Sequence, residues 1–122
     1  MRNINTLKNN REFQAVYKGG KSKANKYLVM YVLPNDNNEI RVGMSVSKKV
    51  GNSVVRHRLT RLIREAYRQI DREIGVRTGY LIVITPYPKA AQVKMQDVKR
   101  DLRYCLARLD MLPPKDVPKT DE

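Results

Sequence analysis

The chain has 122 residues and carries 25 lysines and arginines against 12 aspartates and glutamates, so its formal net charge is +13 at pH 7. This length fits one hydrophobic core and is too short for two, and a single cysteine excludes an intrachain disulfide and any cysteine-based metal cluster. The charge favours a polyanionic partner, with nucleic acid and an anionic membrane as the two candidates.

The first third of the chain predicts a helix followed by two strands. Residues 8–18 form the helix, which ends at a Gly-Gly pair suited to a left-handed stop. A basic loop is predicted over residues 21–26. Strand formers over residues 27–33 and 40–46, separated by a polar turn, predict a β-hairpin.

Residues 48–65 read KKVGNSVVRHRLTRLIRE and predict an amphipathic helix with an arginine-rich face. At 3.6 residues per turn, one broad apolar stripe holds Val54, Val55, Leu59, Leu62, Ile63, Ala66 and Ile70. The opposite face holds His57, Arg61, Arg64, Arg68 and Arg72, with Arg56 and Arg58 at the borders. So many like charges repel one another, and a polyanion would neutralise them. A solvated basic helix without a ligand is the alternative interpretation.

The start of this helix is a second candidate phosphate site. Asn52 or Ser53 can cap the helix, and the free backbone N–H groups of its first turn would lie beside Lys48 and Lys49. An oxyanion bound there would meet both the helix N-terminus and the two ammonium groups.

The remaining sequence completes a single α+β domain. Residues 80–85 (YLIVIT) are apolar on both faces and predict a central strand, and residues 91–109 predict a final helix with Cys105 in the core. We therefore expect three helices packed on a mostly antiparallel sheet of about four strands. The domain spans residues 1–111, and residues 112–122 are predicted to be a flexible tail.

Aromatic residues near the N-terminus suggest a second binding surface. Phe13 and Tyr17 share one face of the first helix, and Tyr27 and Tyr31 are predicted to share one face of the following strand. These rings could line a groove for single-stranded nucleic acid, in which bases stack on the rings while cations follow the backbone. The flanking cations are Lys8, Arg11, Lys18 and Lys26. The alternative is that Phe13 and Tyr17 only anchor the helix in the core.

The sequence offers no constellation for protein-based catalysis. It contains one histidine, His57, on the arginine-rich face, and neither a P-loop nor convergent carboxylates. His57 is better suited to contact a phosphate or a base than to act as a general base. A membrane partner is disfavoured, because the apolar stripe lacks Trp and Phe and no segment approaches a ~20-residue span. Without a signal-peptide run, we expect a cytoplasmic protein.

Several of these segments together resemble the bacterial ribonuclease P protein family. The family signature is a lysine-lysine-hydrophobic-glycine-asparagine segment followed by a helix with arginine-asparagine-arginine, and it matches residues 48–52 and then Arg56, His57 and Arg58. Further similarity lies in EFQAVYKGGKS at residues 12–22, in the strand at 26–33 and in RVGMSVSKK at 41–49. The resemblance covers about residues 4–110. His57 departs from the usual asparagine but keeps a donor and an acceptor.

The resemblance implies a fold, a function and two sets of binding residues. The implied fold is αβββαβα, like domain 2 of ribosomal protein S5, with an unusual left-handed crossover. The implied function is that of a protein cofactor, monomeric when free, of a catalytic RNA that uses Mg²⁺ to remove the 5′ leader from precursor tRNA. The residues implied to bind the catalytic RNA are Lys48, Lys49, Asn52, Arg56, His57, Arg58, Arg61, Arg64 and Arg68. Those implied to bind the leader are Phe13, Tyr17, Tyr31, Lys18, Lys8 and Arg11, and a contact by Tyr87 or Lys89 is less defined.

Two other functions remain open at the level of sequence. A structural RNA-binding protein of the ribosomal type would share the basic helix and the lack of an active site, but would not need the aromatic groove. A stand-alone metal-dependent ribonuclease would need at least two convergent carboxylates.

Overall fold

The computed structural model describes residues 5–7, 10–35 and 38–113, which form three α-helices and five strands. The strands are β1 (Asn5–Thr6), β2 (Lys21–Ala24), β3 (Leu28–Pro34), β4 (Ile40–Met44) and β5 (Tyr80–Pro86). The helices are α1 (Asn10–Gly19), α2 (Ser53–Glu73) and α3 (Met95–Arg108), with a 3₁₀ helix (Pro88–Gln92) before α3. The predicted α+β domain with three helices is confirmed.

The five strands form one mixed sheet in the order β1-β4-β5-β3-β2. The central strand, β5, is parallel to β4 and antiparallel to β3; β1 is parallel to β4, and β2 is antiparallel to β3. The antiparallel ladders contain more paired positions than the parallel ones. β4 and β5 are thus parallel neighbours joined by α2, which makes them the crossover unit of the fold.

The predicted hairpin between the strands at 27–33 and 40–46 is wrong, because β5 lies between them. The connection crosses the start of β5, where the Asn35 N–H donates to the Gly79 carbonyl at 2.9 Å and the Gly79 N–H donates to the Glu39 carbonyl at 2.9 Å. A polar turn between two strands favours a hairpin locally. The central position goes instead to β5, whose consecutive residues Ile82, Val83 and Ile84 are fully buried, so that both of its faces are covered.

The predicted basic loop at 21–26 is also wrong in part, because residues 21–24 form the edge strand β2. β2 pairs with β3 from Lys21 opposite Val32 to Ala24 opposite Val29. Lysines are typical of exposed edge strands, where their charge opposes pairing with another chain. The lysines that indicated a loop are therefore also consistent with an edge strand.

The sheet is covered on both faces, but unequally. α2 and α3 pack on one face over the main core, to which β3, β4 and β5 contribute alternate side chains. α1 packs on the other face over a small cluster in which Leu7, Val16 and Val83 are buried. Because side chains of a strand point alternately to the two faces, β5 supplies both cores.

α2 is buried along one stripe, as the sequence predicts, with one exception at its first turn. Its buried residues are Leu59, Ile63, Ala66, Tyr67 and Ile70, and Tyr67 was not foreseen. Val54, predicted to lie on the apolar stripe, has 75% of its surface exposed. The N-terminal turn of α2 extends past the edge of the core, so Val54 stays exposed although the helical wheel places it on the apolar stripe.

The C-terminal part differs from prediction at two boundaries. The predicted helix at 91–109 is divided into the 3₁₀ helix and α3, with extended backbone at Val93 and Lys94 between them. Leu112, assigned to the tail, is buried in the main core; residues 114–122 lie outside the described residues. Cys105 is buried as predicted, and desolvation raises the pKa of its thiol to about 12, so it stays protonated.

One buried carboxylate joins α3 to the turn between β2 and β3. Asp101 accepts a hydrogen bond from the Tyr27 backbone N–H at 2.6 Å and another from the Asn25 side-chain amide at 3.2 Å. Desolvation nevertheless raises the pKa of Asp101 above its usual value, and the hydrogen bond from Tyr27 opposes that shift only in part.

The raised pKa of Asp101 predicts a specific pH dependence of stability. A carboxyl with a higher pKa in the folded than in the unfolded chain binds more protons when folded, so its contribution to stability decreases as the pH rises above about 4. Between about pH 4 and pH 7, the native chain should lose stability relative to Asp101→Asn, as measured by urea unfolding. The exposed control Asp110→Asn should show a smaller change. If the native chain instead gained stability relative to Asp101→Asn as the pH rises over this range, the raised pKa of Asp101 would be contradicted.

Candidate nucleic-acid interface

The loop before α2 places two lysines beside the helix N-terminus. Backbone hydrogen bonds from Val50 to Ser47 at 3.0 Å and from Gly51 to Lys48 at 3.2 Å close the turn, and Val50 is buried beneath it. Lys48 and Lys49 are exposed. The Asn52 side-chain oxygen accepts from the Val55 N–H at 3.0 Å, so the predicted cap is Asn52.

Two arginines of the family-like motif are partly engaged with the protein backbone. The Arg56 Nε donates to the Gly51 carbonyl at 3.2 Å, and one terminal nitrogen of Arg58 donates to the Ala91 carbonyl at 2.7 Å. These bonds hold the two guanidinium groups at opposite borders of α2 while leaving further N–H donors on each. Asn52 likewise uses its side-chain oxygen within the protein.

The centre of the arginine-rich face is open to an anionic partner. His57, Arg61 and Arg68 are exposed, and Arg64 is half-buried. Within the described ranges, none of Lys48, Lys49, Arg61, Arg64 and Arg68 forms an ion pair with a carboxylate. Glu65 accepts a hydrogen bond from the Gln69 side-chain amide at 3.4 Å and makes a 3.9 Å contact with Arg72, near the far end of α2. These cations therefore keep their charge for a ligand.

A shallow cavity of about 310 Å³ lies between the first turns of α2 and the end of β4. It is lined by Met44, Val46, Ser53, Arg56, His57 and Thr60. Met44 and Val46 give the lining apolar groups, and the other four residues give it hydrogen-bonding groups. His57, the residue that departs from the family pattern, thus lines a concave surface as well as belonging to the basic face.

On the opposite face of the sheet, α1 holds a phenyl ring directly over a glycine of β4. A Cβ atom added to Gly43 would lie 2.7 Å from Phe13 Cζ and 2.8 Å from Leu7 Cδ1. Such distances are shorter than real carbon contacts, so the ring occupies the space that a side chain at position 43 would need. Phe13 is half-buried, with part of its ring accessible.

A pair of tyrosine rings extends this surface from α1 towards β3. Tyr17 and Tyr31 meet edge to face, with ring centroids 5.0 Å apart and an interplanar angle of 81°. Both rings are half-buried beside the small cluster. Glu12 of α1 pairs with Arg41 of β4, with one N···O contact of 2.9 Å, and this pair fixes the helix to the sheet.

We use the name aromatic cleft for the surface formed by Phe13, Tyr17 and Tyr31 together with the sheet positions beside them. Tyr31 lies opposite Val83, and the next pair on the same face is Val29 opposite Thr85, both half-buried. The Ser45 N–H donates to the Ile84 carbonyl at 3.0 Å and continues this row across the sheet. The cleft floor therefore ends at Ser45, close in sequence to Lys48.

The structure places the cations predicted for the cleft in different positions. Arg11 and Lys18 are exposed on α1, and Lys8 lies outside the described residues. Tyr27 is not beside Tyr31 as predicted, since it packs against the main core. The Tyr87 N–H donates to the Tyr27 carbonyl at 2.9 Å. Lys89 Nζ lies 5.9 Å from the centroid of the Tyr87 ring, and Lys26 Nζ lies 5.3 Å from that of Tyr27.

Metal ligands and membrane spans are not apparent in the part of the chain that the structure describes. Residues 5–7, 10–35 and 38–113 contain no group of three or more His, Cys, Asp or Glu side chains that could hold a metal ion. In the same ranges, no helix has both the length and the apolar character needed to cross a membrane.

An arginine-rich helix face adjoining an aromatic cleft defines the chain as an RNA-binding protein of the α+β class. The family model described as Ribonuclease P matches residues 1–110. The chain therefore belongs to the ribonuclease P protein family, which confirms the resemblance carried by its motifs.

Curated relatives and solved structures agree with this assignment. The chain is 44% identical over 106 residues to the ribonuclease P protein component of Clostridioides difficile, covering 86% of this chain and 91% of that protein. It is 67% identical over 66 residues to that of Lachnoclostridium phytofermentans, covering 54% and 57% respectively. The structure of the Staphylococcus aureus RNase P protein superposes with a TM-score of 0.77 at 29% identity, covering 91% of this chain and all of that one.

The contact between Phe13 and Gly43 predicts how the cleft responds to one added methyl group. Gly43→Ala should displace the ring and lower stability by about 1–3 kcal/mol through overpacking. Phe13 is the only phenylalanine of the chain, so 4-fluorophenylalanine labelling gives a single ¹⁹F resonance that reports its environment. That resonance should shift in Gly43→Ala.

Gly19→Ala is the matched control, because its added Cβ would lie 3.4 Å from Leu33 Cδ1, an ordinary contact. Its ¹⁹F resonance should stay near the native position. An unchanged resonance in Gly43→Ala would mean that Phe13 does not lie over β4 in solution.

Proposed function

We propose that this chain acts as the protein subunit of a ribonuclease P holoenzyme in which its two surfaces bind different RNAs. The arginine-rich face of α2 binds the catalytic RNA, and the aromatic cleft binds the 5′ leader of precursor tRNA. The observation that carries this proposal is the adjacency of two chemically different surfaces, joined at the end of β4. One presents Lys48, Lys49, Arg61, Arg64 and Arg68, none of which forms an ion pair with a described carboxylate, and the other presents half-buried rings.

The α2 surface suits a folded RNA backbone. Lys48, Lys49, Arg61, Arg64 and Arg68 would neutralise phosphates, and each neutralised phosphate releases counterions and adds affinity at low salt. Arg56 and Arg58 are already oriented by backbone carbonyls and would offer their remaining donors. His57 would contact a phosphate or a base at the rim of the cavity, and Asn52 would act mainly by capping α2.

The aromatic cleft suits a single strand. Phe13, Tyr17 and Tyr31 would stack on bases without demanding a sequence, while Arg11, Lys18 and, by the family pattern, Lys8 would follow the phosphates. Mature tRNA lacks the leader, so a protein that grips the leader favours precursor over product. A structural RNA-binding protein of the ribosomal type would not need to distinguish precursor from product, and so would not need the cleft.

Chemistry is assigned to the RNA subunit rather than to the protein. The RNA would hold the Mg²⁺ that assists hydrolysis at the mature 5′ end. Water would attack the phosphorus, and the bond to the leader's 3′ oxygen would break, which leaves a 3′-hydroxyl on the leader and a 5′-phosphate on the tRNA. Among the described residues, no group of three or more His, Cys, Asp or Glu side chains could hold a metal ion. The protein would reduce repulsion between the two polyanions and so lower the magnesium concentration required.

Substitutions on the two surfaces should have separable effects. Arg61→Gln combined with Arg64→Gln should weaken binding of the catalytic RNA and reduce the slope of log affinity against log salt by about two units, because two phosphate contacts are lost. The matched control is Arg77→Gln with Arg103→Gln, which removes the same charge from positions away from the α2 face. An equal loss of slope in the control would indicate a diffuse charge effect and contradict a defined surface.

Tyr31→Leu should instead weaken binding of precursor tRNA to the assembled holoenzyme by about 5- to 160-fold, the range expected for one lost stacking contact. Binding of leaderless tRNA and of the catalytic RNA should remain at native levels. If leaderless and precursor tRNA lose affinity equally, the cleft does not hold the leader.

A further inference from the structure

A third group of cations surrounds an aromatic ring on the opposite edge of the sheet from β1. The ring of Tyr104, on α3, has Lys23 Nζ at 5.9 Å from its centroid and Arg108 Cζ at 5.8 Å. Tyr104 is half-buried, so part of the ring is accessible, and Arg108 is exposed. Neither the α2 face nor the aromatic cleft includes any of these three residues.

The positions of these side chains are fixed by contacts between α3 and the β2 edge. The Cys105 thiol donates to the Lys23 carbonyl at 3.5 Å, directly behind Tyr104. Asp101, one turn earlier on α3, accepts from Asn25 and from the Tyr27 backbone. The cation and ring group is therefore assembled by the packing of α3 on β2.

The surroundings of the ring are strongly positive. Lys21 and Lys26 are exposed at the two ends of this edge, and Arg100 lies one helical turn before Tyr104. The carboxylates described nearby are both occupied, Asp97 by Arg100 at 3.4 Å and Asp101 by its two donors. Lys21, Lys23 and Lys26 form no ion pair with a described carboxylate, so their charge favours a polyanion.

The aromatic cleft extends towards the same edge strand, β2, on the other face of the sheet. The cleft floor runs from Ser45 through Thr85 and Val29 to Ala24, since Ala24 pairs with Val29 and Val29 with Thr85. This path crosses three strand spacings, or about 14 Å, and ends at the edge strand β2. Because side chains alternate along β2, Lys21 and Lys23 point to the opposite face of the sheet from Ala24. This is the face on which α3 packs and carries Tyr104.

We propose that Lys23, Tyr104 and Arg108 form a second single-stranded RNA site, which takes the part of the leader that extends beyond the aromatic cleft. One base stacks on Tyr104 in place of a cation that now lies over the ring, and the flanking phosphates pair with Lys23 and Arg108. This inference rests on the proposed function, because the leader must first occupy the cleft. Pairing of β2 with a second copy of the chain is disfavoured by the lysines on that edge.

The test uses the reconstituted holoenzyme and precursor tRNAs whose leaders increase in length one nucleotide at a time. With the native protein, affinity should rise in two stages, the first as the leader fills the cleft and the second as it passes β2. Lys23→Gln with Arg108→Gln, and separately Tyr104→Leu, should abolish the second stage and lower the affinity for long leaders by about fivefold or more. Affinity for short leaders should stay native.

Lys94→Gln, just before α3, combined with Arg103→Gln on α3 is the charge-matched control, and it should keep both stages. If the native protein shows a first stage only, and the variants match it, the second site does not exist although the proposed function stands. If native affinity does not depend on the leader at all, the proposed function itself fails. If the variants change the sedimentation of the free protein instead, the surface joins two copies of the chain and the RNA assignment is wrong.

Discussion

The pairing of β5 with both β3 and β4 is the interaction on which the rest of the structure depends. β5 places Ile82 and Ile84 in the main core under α2 and α3, and Val83 in the small cluster under α1. A strand buried on both faces stabilises the layers on either side of it. Because β4 is parallel to β5, the chain must cross the sheet between them, and α2 is that crossing. The arginine-rich face is thereby brought to the end of β4, where the cleft floor also ends.

Sequence periodicity predicted the features that depend on local geometry. The cap at Asn52, the buried stripe of α2 and the apolar central strand follow from patterns within one element. The order of the strands does not, since the hairpin signal at residues 34–38 was overruled by a strand more than 40 residues later in the chain. Val54 shows the same limit, because a helical wheel cannot tell where the core ends. The Glu12–Arg41 pair and the fit of Phe13 over Gly43 also join distant segments, so only the fold reveals them.

The candidate binding residues fall into three groups: those that hydrogen-bond within the protein, exposed cations, and packed aromatic rings. Asn52, Arg56 and Arg58 hydrogen-bond to the protein itself, so they shape the surface as well as presenting it. Lys48, Lys49, Arg61 and Arg68 are exposed and keep their full charge for a partner. In the cleft, the rings are held by packing while their outer parts stay accessible. In the proposed function, one small domain would present a cationic face to a folded RNA and an aromatic surface to a single strand, and the packing of the rings would limit the entropy lost on binding.

The central claim is that the protein assists an RNA catalyst and does not cleave by itself. The most direct measurement is cleavage of end-labelled precursor tRNA at low magnesium by the matching catalytic RNA with this protein, by that RNA alone and by the protein alone. We expect efficient cleavage only when both components are present, and at a single position, the mature 5′ end. Cleavage by the protein alone would contradict the assignment of chemistry to the RNA. Tight RNA binding without any gain in cleavage would indicate a structural RNA-binding protein instead.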